Sequence, residues 1–223
     1  MSSEPRPAAT VVLIRDGKEA LELLLLERNT RSGKEPRPWV FPGGKIDDTD
    51  RVDSLDDSAR RAAVREVQEE AGLRIAGASL VSISRWITPK VSPKRFDTWF
   101  FLGQIDSDDE VAVDGGEIRR HRWLHPLDAL EAHDRGEMLL APPTYVTVAW
   151  LVEHESAAAA LGALRVEPVL TFRPRICAAP EGTCILYPGD AGYDDGDPAR
   201  AGRRHRLWMR PEGWAYERSQ RGR

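Results

Sequence analysis

Two apolar runs near the start of the chain, ATVVLIRDG and ALELLLLERN, meet at Asp16-Gly17. Asp-Gly between apolar runs signals a tight hairpin, because both residues tolerate the backbone that short turns require. An antiparallel pair at the outset argues against a purely parallel sheet. Beyond it, strand-like and helix-like stretches interleave. ASLVSISRWITP, RFDTWFFLGQI and IRRHRWLHP read as strands, the second rich in aromatic and β-branched residues. A helix is expected from about Asp56 to Ala71 with Gly72 as its stop, a second over PLDALEAHDRG closed by Gly136, and a third over PPTYVTVAWLVEH. Proline opens the third helix, where its missing N–H costs nothing. Such interleaving predicts an α/β fold, a mixed sheet with helices on both faces.

After about residue 162 the texture changes. VEPVLTFRPRI, TCILYP and HRLWMRP are strand-like and separated by Gly, Asp and Pro. The expected organisation is a flexible tail over residues 1–8, a main domain over 9–155, and a β-rich C-terminal extension over 156–223 packed on it. The 223 residues, 41% of them apolar, suffice for one sizeable core. A net charge of −4 gives no global basic surface, so nucleic acid is not an expected partner. No apolar run approaches the roughly 18 residues of a membrane span, so no membrane partner is expected either. MSSEPRPAAT lacks a signal pattern, and the chain ends in Arg-Gly-Arg without a Ser-Lys-Leu address. Cys177 and Cys184 are expected as free thiols, and the expected location is cytoplasmic.

One expected helix should repel itself. Residues three and four apart share a helix face, so Glu66 and Glu70 stack with Glu69 beside them. Glu69 and Glu70 also lie in the last turn, where the helix dipole disfavours negative charge. At about 100° per residue, Glu66 and Glu70 flank the apolar stripe of Ala63, Val67 and Ala71, while Gln68 takes the outward position. A solvated acidic face is the ordinary reading of such a string. Carboxylates placed at the core edge make better sense if a hard divalent cation fills them, since Mg²⁺ takes carboxylate, water and phosphate oxygens. Arg65 is placed to orient one of them by a charge-assisted hydrogen bond.

These residues carry a family resemblance. R-E-V-Q-E-E-A-G-L, Arg65 to Leu73, resembles the second half of the Nudix hydrolase signature, G-x5-E-x7-R-E-U-x-E-E-x-G-U with U a bulky aliphatic. F-P-G-G-K, Phe41 to Lys45, resembles its incoming strand and turn. Two departures stand out. Gly44 and Arg65 are 21 positions apart where the pattern has 14, so seven residues are inserted, expected within DDTDRVDSL. Counting back from Arg65, the pattern's first Glu falls on Asp57, which equally suits the start of the helix.

The resemblance implies an α/β/α sandwich and hydrolysis of a diphosphate joined to another moiety. It implies Mg²⁺, with Mn²⁺ as substitute, held by Glu66, Glu69, Glu70 and the Gly44 carbonyl, with Arg65 holding the carboxylates and one glutamate acting on the attacking water. Asp57 and Glu117 are the candidate auxiliary acids. Upstream, LLLERNTRSGKEPRPWVFPGG partly resembles the pattern of coenzyme A diphosphatases, and an insertion inside the signature also resembles that branch. It follows that coenzyme A or an acyl-CoA is the preferred substrate, with Arg28, Arg31, Arg37 and Lys45 for phosphates and Trp86, Arg95 and Phe96 for the pocket. ADP-ribose, a dinucleotide or a nucleotide sugar is the second reading, and a non-catalytic nucleotide-binding module the third. The expected partner is thus a small-molecule nucleotide diphosphate, with a homodimer as the assembly to look for.

Overall fold

The computed structural model describes residues 4–29, 37–106 and 108–219. Strands β1 (Arg6–Asp16) and β2 (Leu21–Arg28) form the hairpin at Asp16-Gly17. Its loop is four residues long rather than two, closed by Gly17 N–H donating to the Ala20 carbonyl at 2.9 Å. Asp16 instead accepts the backbone N–H of Ala157 at 2.7 Å, tying the hairpin to a later helix. The tail expected over residues 1–8 is shorter, because Arg6, Pro7 and Ala8 already pair with a strand.

After β3 (Pro38–Val40) and β4 (Gly43–Lys45) come a 3-10 turn at Asp48–Asp50 and helix α1 (Leu55–Ala71). Ser54 caps α1 by accepting the Asp57 N–H, and Gly72 ends it at φ 69°, a left-handed conformation that favours glycine. Strands β5 (Val81–Ile87), β6 (Phe96–Gln104) and β7 (Ile118–Leu124) follow, then α2 (Pro126–Asp134), β8 (Leu139–Leu140) and α3 (Pro142–Leu151). Helix α4 (Ala157–Val166) and β9 (Leu170–Phe172) lead into β10 (Arg175–Ala179), β11 (Gly182–Leu186), β12 (His205–Arg210) and β13 (Gly213–Arg218).

The large sheet runs β8-β3-β2-β1-β6-β5-β9, with β4 on β1 and β7 on β2. It is mixed: β1 and β6 are parallel, β1 and β2 antiparallel. Both faces are covered, and the sequence shows how. Val12, Ile14, Leu23 and Leu25 face a core shared with α2, α3 and α4, while Val11, Leu13, Leu24 and Leu26 face α1 through Ala59, Ala62, Ala63 and Val67. Alternation with apolar residues on both faces is the mark of a strand buried on both sides. Small alanines let α1 lie close on the sheet, which sets the depth of the glutamates it carries.

β9 pairs with β5, so a strand beyond residue 155 completes the large sheet. The last four strands form a separate antiparallel meander, β10-β11-β12-β13. One face of it buries Cys184, Leu186 and Trp208, and the other sends Ile185, Tyr187 and Leu207 into the core beneath α2, α3 and α4. Cys177 and Cys184 are free and buried. Among the described residues no helix is long and apolar enough to cross a membrane.

Candidate active site

The site forms where β4 and the N-terminal part of β1 meet the C-terminal half of α1. β4 pairs with β1 through Ala9↔Gly44. A side chain at Gly44 would meet Glu66: a Cβ there would lie 2.2 Å from Oε1. Glycine is therefore required for this carboxylate to reach the turn. One residue earlier, the Gly43 N–H donates to Glu70 Oε2 at 2.9 Å. The Gly-Gly pair thus cradles two glutamates from α1.

A cleft of about 410 Å³ opens here, lined by Thr10, Arg28, Lys45, Glu66, Phe96 and Glu117 among others. Arg28 reaches across it to pair with Glu117 and stands 3.8 Å from Glu70. Carboxylates and cations so share one concavity, the former able to hold a cation and the latter a phosphate.

Arg65 organises the acidic side. It donates to Glu66 Oε1 and to Glu69 Oε2, both at 2.8 Å, and to the Lys45 carbonyl at 3.0 Å. Its strongest partner is Asp50, buried in the 3-10 turn and met by both Nε and an Nη at 2.9–3.3 Å. Burial would raise the Asp50 pKa, but the Arg65 hydrogen bonds and the Asp47 N–H outweigh it and hold Asp50 below the usual carboxylate range.

Asp50, not Asp57, is therefore the acid that the fold brings onto Arg65. Counting forward from Gly44 by the interval G-x5-E lands on Asp50. The insertion consequently falls between Asp50 and α1. Asp57 is exposed in the first turn of α1, about 13 Å along the helix from Glu66. It borders a broader groove on another flank of α1, with Arg60, Arg61 and Val64. Arg60 is committed there to Asp56 at 2.7 Å and to the Leu80 carbonyl at 2.6 Å, and neither Glu66 nor Glu70 borders that groove.

The other expected residues fall in different surroundings. Phe96 lines the cleft, but Trp86 does not: it is buried and stacked on Phe172 at 3.9 Å. Arg95 donates to the Thr88 carbonyl, and its neighbour Asp97 is held bidentately by Arg85. Arg37 leads into β3, with its Nε buried and without a hydrogen-bond partner. Arg31 lies outside the described residues. Glu69 is the outlier among the three glutamates, half-exposed and turned onto Arg65.

Burial raises the Glu66 pKa against the pull of Arg65. Glu70 is pushed up to about 7, chiefly by burial and against the Gly43 N–H and Arg28. The cation-free fold thus favours the neutral form of Glu70. Its stabilisation is full below the ordinary value near 4.5 and is lost as pH rises through about 7. Melting temperatures in chelator should therefore fall between those pH values. Glu70→Gln should flatten that slope, and saturating Mg²⁺ should oppose it in the wild type. A slope unchanged by Glu70→Gln would remove this account of the carboxylate.

Among the described residues, no three His, Cys, Asp or Glu side chains are gathered tightly enough to enclose a metal ion as they stand. The donor chemistry nevertheless suits a hard cation: all-oxygen, desolvated, and cradled where a Cβ would intrude.

The comparisons with known proteins agree with this geometry. The NUDIX domain family matches residues 4–142. The chain is 28% identical over 178 residues to the putative nudix hydrolase 7 of Caenorhabditis elegans, covering 64% of this chain and 59% of that one. It is 28% identical over 199 residues to the human acyl-coenzyme A diphosphatase NUDT19, covering 85% of this chain and 52% of that one. The chain thus spans little more than half the length of these relatives. A crystal structure of a NUDIX hydrolase from Alicyclobacillus acidocaldarius superposes with a TM-score of 0.65 at 26% identity, covering 75% of this chain and all of that one. With the Gly-Gly cradle, the Arg65 hub and the α1 glutamates in place, this chain belongs to the Nudix family.

Proposed function

We propose that the protein is a divalent-cation-dependent hydrolase that cleaves the diphosphate linkage of coenzyme A or an acyl-CoA. One observation carries the reading: Glu66 and Glu70 are desolvated against a glycine cradle, Glu66 shares one cleft with Arg28 and Lys45, and Glu70 stands 3.8 Å from Arg28. Glu66 and Glu70, with Glu69 adjacent on Arg65 and the Gly44 backbone, are the groups that would hold Mg²⁺ or Mn²⁺. The bound cation would neutralise phosphate oxygens in the transition state.

The chain's own residues do the rest. Arg28 and Lys45 bind and orient the diphosphate, and Arg65 fixes the carboxylates through Asp50. A water attacks one phosphorus in line, and the bond from that phosphorus to the bridging oxygen breaks. The water's proton passes to a cleft carboxylate, for which Glu117 on Arg28 is placed as well as the glutamates of α1. The bridging oxygen leaves on the second phosphate.

The coenzyme A reading rests on the partial upstream resemblance, on similarity to a protein named for acyl-CoA, and on the cationic wall of the cleft. Coenzyme A carries a 3′-phosphate that needs a cation beyond those on the diphosphate, for which Arg37 is the described candidate. Two buried free thiols suit a reducing compartment such as the cytoplasm.

The test is a comparison of kcat/KM for coenzyme A and dephospho-coenzyme A. A charge-assisted contact to the 3′-phosphate should favour coenzyme A by about 10-fold or more. A neutral substitution at the responsible arginine should erase the preference mainly through KM. Equal kcat/KM values would count against a dedicated phosphate pocket. Faster cleavage of ADP-ribose than of either would shift the reading to that substrate class.

A further inference from the structure

The C-terminal sheet meets the catalytic sheet through a stack of rings. Trp86 of β5 lies flat on Phe172 of β9, with centroids 3.9 Å apart. Tyr187, just after β11, stands edge-on to both at 5.6 and 4.9 Å. His205 of β12 is 5.1 Å from Phe172, 5.2 Å from Tyr187 and 6.0 Å from Tyr216 of β13. Trp150 of α3 closes the group, 5.6 Å from Phe172 and 6.5 Å from Tyr216.

The polar atoms of this seam are unusual. His205 Nδ1 lies 2.8 Å from the Pro188 carbonyl, which only accepts, so Nδ1 carries the proton and Nε2 is a bare acceptor. His205 Nε2, the Tyr187 and Tyr216 hydroxyls and Trp150 Nε1 are all buried without a hydrogen-bond partner. The ring is thus packed among aromatic side chains with Nε2 buried and unpaired, so a second proton there would bring a charge into a desolvated seam.

The charges nearby do not help. From β13, Arg218 pairs directly across from His205 and repels a charged ring. Asp190 attracts one, but both its carboxylate oxygens are engaged by Arg206 at 2.7 Å. Tyr187 and Tyr216 are the other titratable groups that face it, while β9 and α3 present only Phe172 and Trp150.

The seam also reaches the cleft. Trp86 is the register partner of Thr98, which lines the cleft beside Phe96.

We propose that His205 is a pH-gated latch that docks the C-terminal sheet on β9 and β5, the strands behind β6 at the cleft, closed when the ring is neutral and loosened when it is protonated. Burial lowers the His205 pKa from its usual 6.5, so the docked form resists the proton. Docking is then at full strength above that value and weakens as pH falls below it.

The test is hydrogen exchange of the whole chain, corrected for the intrinsic pH dependence of amide exchange. Wild-type opening of β12 and β13 should rise about fivefold or more between about pH 7.5 and about pH 5.5, with α1 unaffected. His205→Asn, which keeps an amide N–H toward Pro188, should remove that rise. A flat wild-type profile, or the same rise in His205→Asn, would overturn the proposal. Should His205→Asn fail to fold, the wild-type ring decides by NMR: a His205 titration in step with opening upholds the latch, and one uncoupled from it overturns it.

Discussion

Glu66→Gln and Glu70→Gln are each expected to lose about 10²–10³-fold in kcat/KM for diphosphate hydrolysis while melting at or above the wild-type temperature. The two halves of this expectation come from one arrangement. Glutamine at position 70 still accepts the Gly43 N–H, so the hydrogen bond at 2.9 Å survives. What is lost is a charge that burial and the neighbouring carboxylates make costly in a cation-free protein. If Glu70 only tied α1 to β4, the substitution would leave activity nearly intact. Steady-state kinetics with Mg²⁺, paired with thermal melts in chelator, separates the cases. Near-wild-type kcat/KM in the double variant would remove the glutamates from the mechanism.

The largest stability effect is expected far from the cleft. Asp190 and Arg206 form a buried bidentate pair, with side chains 0% and 2% exposed. Asp190 also accepts the backbone N–H groups of Gly192 and His205, both at 2.8 Å. It therefore anchors the long loop between β11 and β12. Asp190→Ala strands the Arg206 charge and two backbone donors in the interior. The expected loss is about 3–5 kcal/mol in urea unfolding. Replacing both partners by apolar residues should cost less than Asp190→Ala alone, because no uncompensated charge remains. A loss below about 1 kcal/mol in Asp190→Ala would mean that water reaches Arg206 freely.

Helix α1 is the most legible part of the chain. Its cap is Ser54, ahead of the Asp56-Asp57 start read from the sequence. Its extent, its stop at Gly72 and the edge positions of Glu66 and Glu70 follow from spacing, because each depends on residues within a few turns. The identity of the first acid does not. An insertion splits the pattern, and counting from Arg65 or from Gly44 gives Asp57 or Asp50. Only the tertiary contact with Arg65 decides between them.

Trp86 illustrates a second limit. The β5–β6 register puts Trp86 and Phe96 on the same sheet face, since Trp86 pairs with Thr98 and Phe96 lies two residues away, so periodicity cannot say which of them reaches the cleft. The seam is made by Phe172 and Tyr187, remote in sequence, and both lie in the region read only as strand-like. The sequence reading assigns no helix to SAAAALGALRV, yet α4 forms there, capped by Ser156 and docked through Asp16. Alanine-rich segments carry little amphipathic signal, and packing on β1, β5 and β6 supplies what periodicity lacks. Glu69 is the opposite case, since its i,i+4 spacing from Arg65 already points to the ion pair that the structure shows.

The central claim, hydrolysis of a diphosphate linkage at the α1 glutamates, meets its most direct test in phosphorus NMR of coenzyme A, an acyl-CoA and ADP-ribose incubated with the protein and Mg²⁺ in ¹⁸O-water. The account predicts loss of the diphosphate resonances, two phosphomonoester products, ¹⁸O on one of them, and no reaction in excess chelator. Intact diphosphates across the whole panel, or cleavage that proceeds undiminished in chelator, would contradict it.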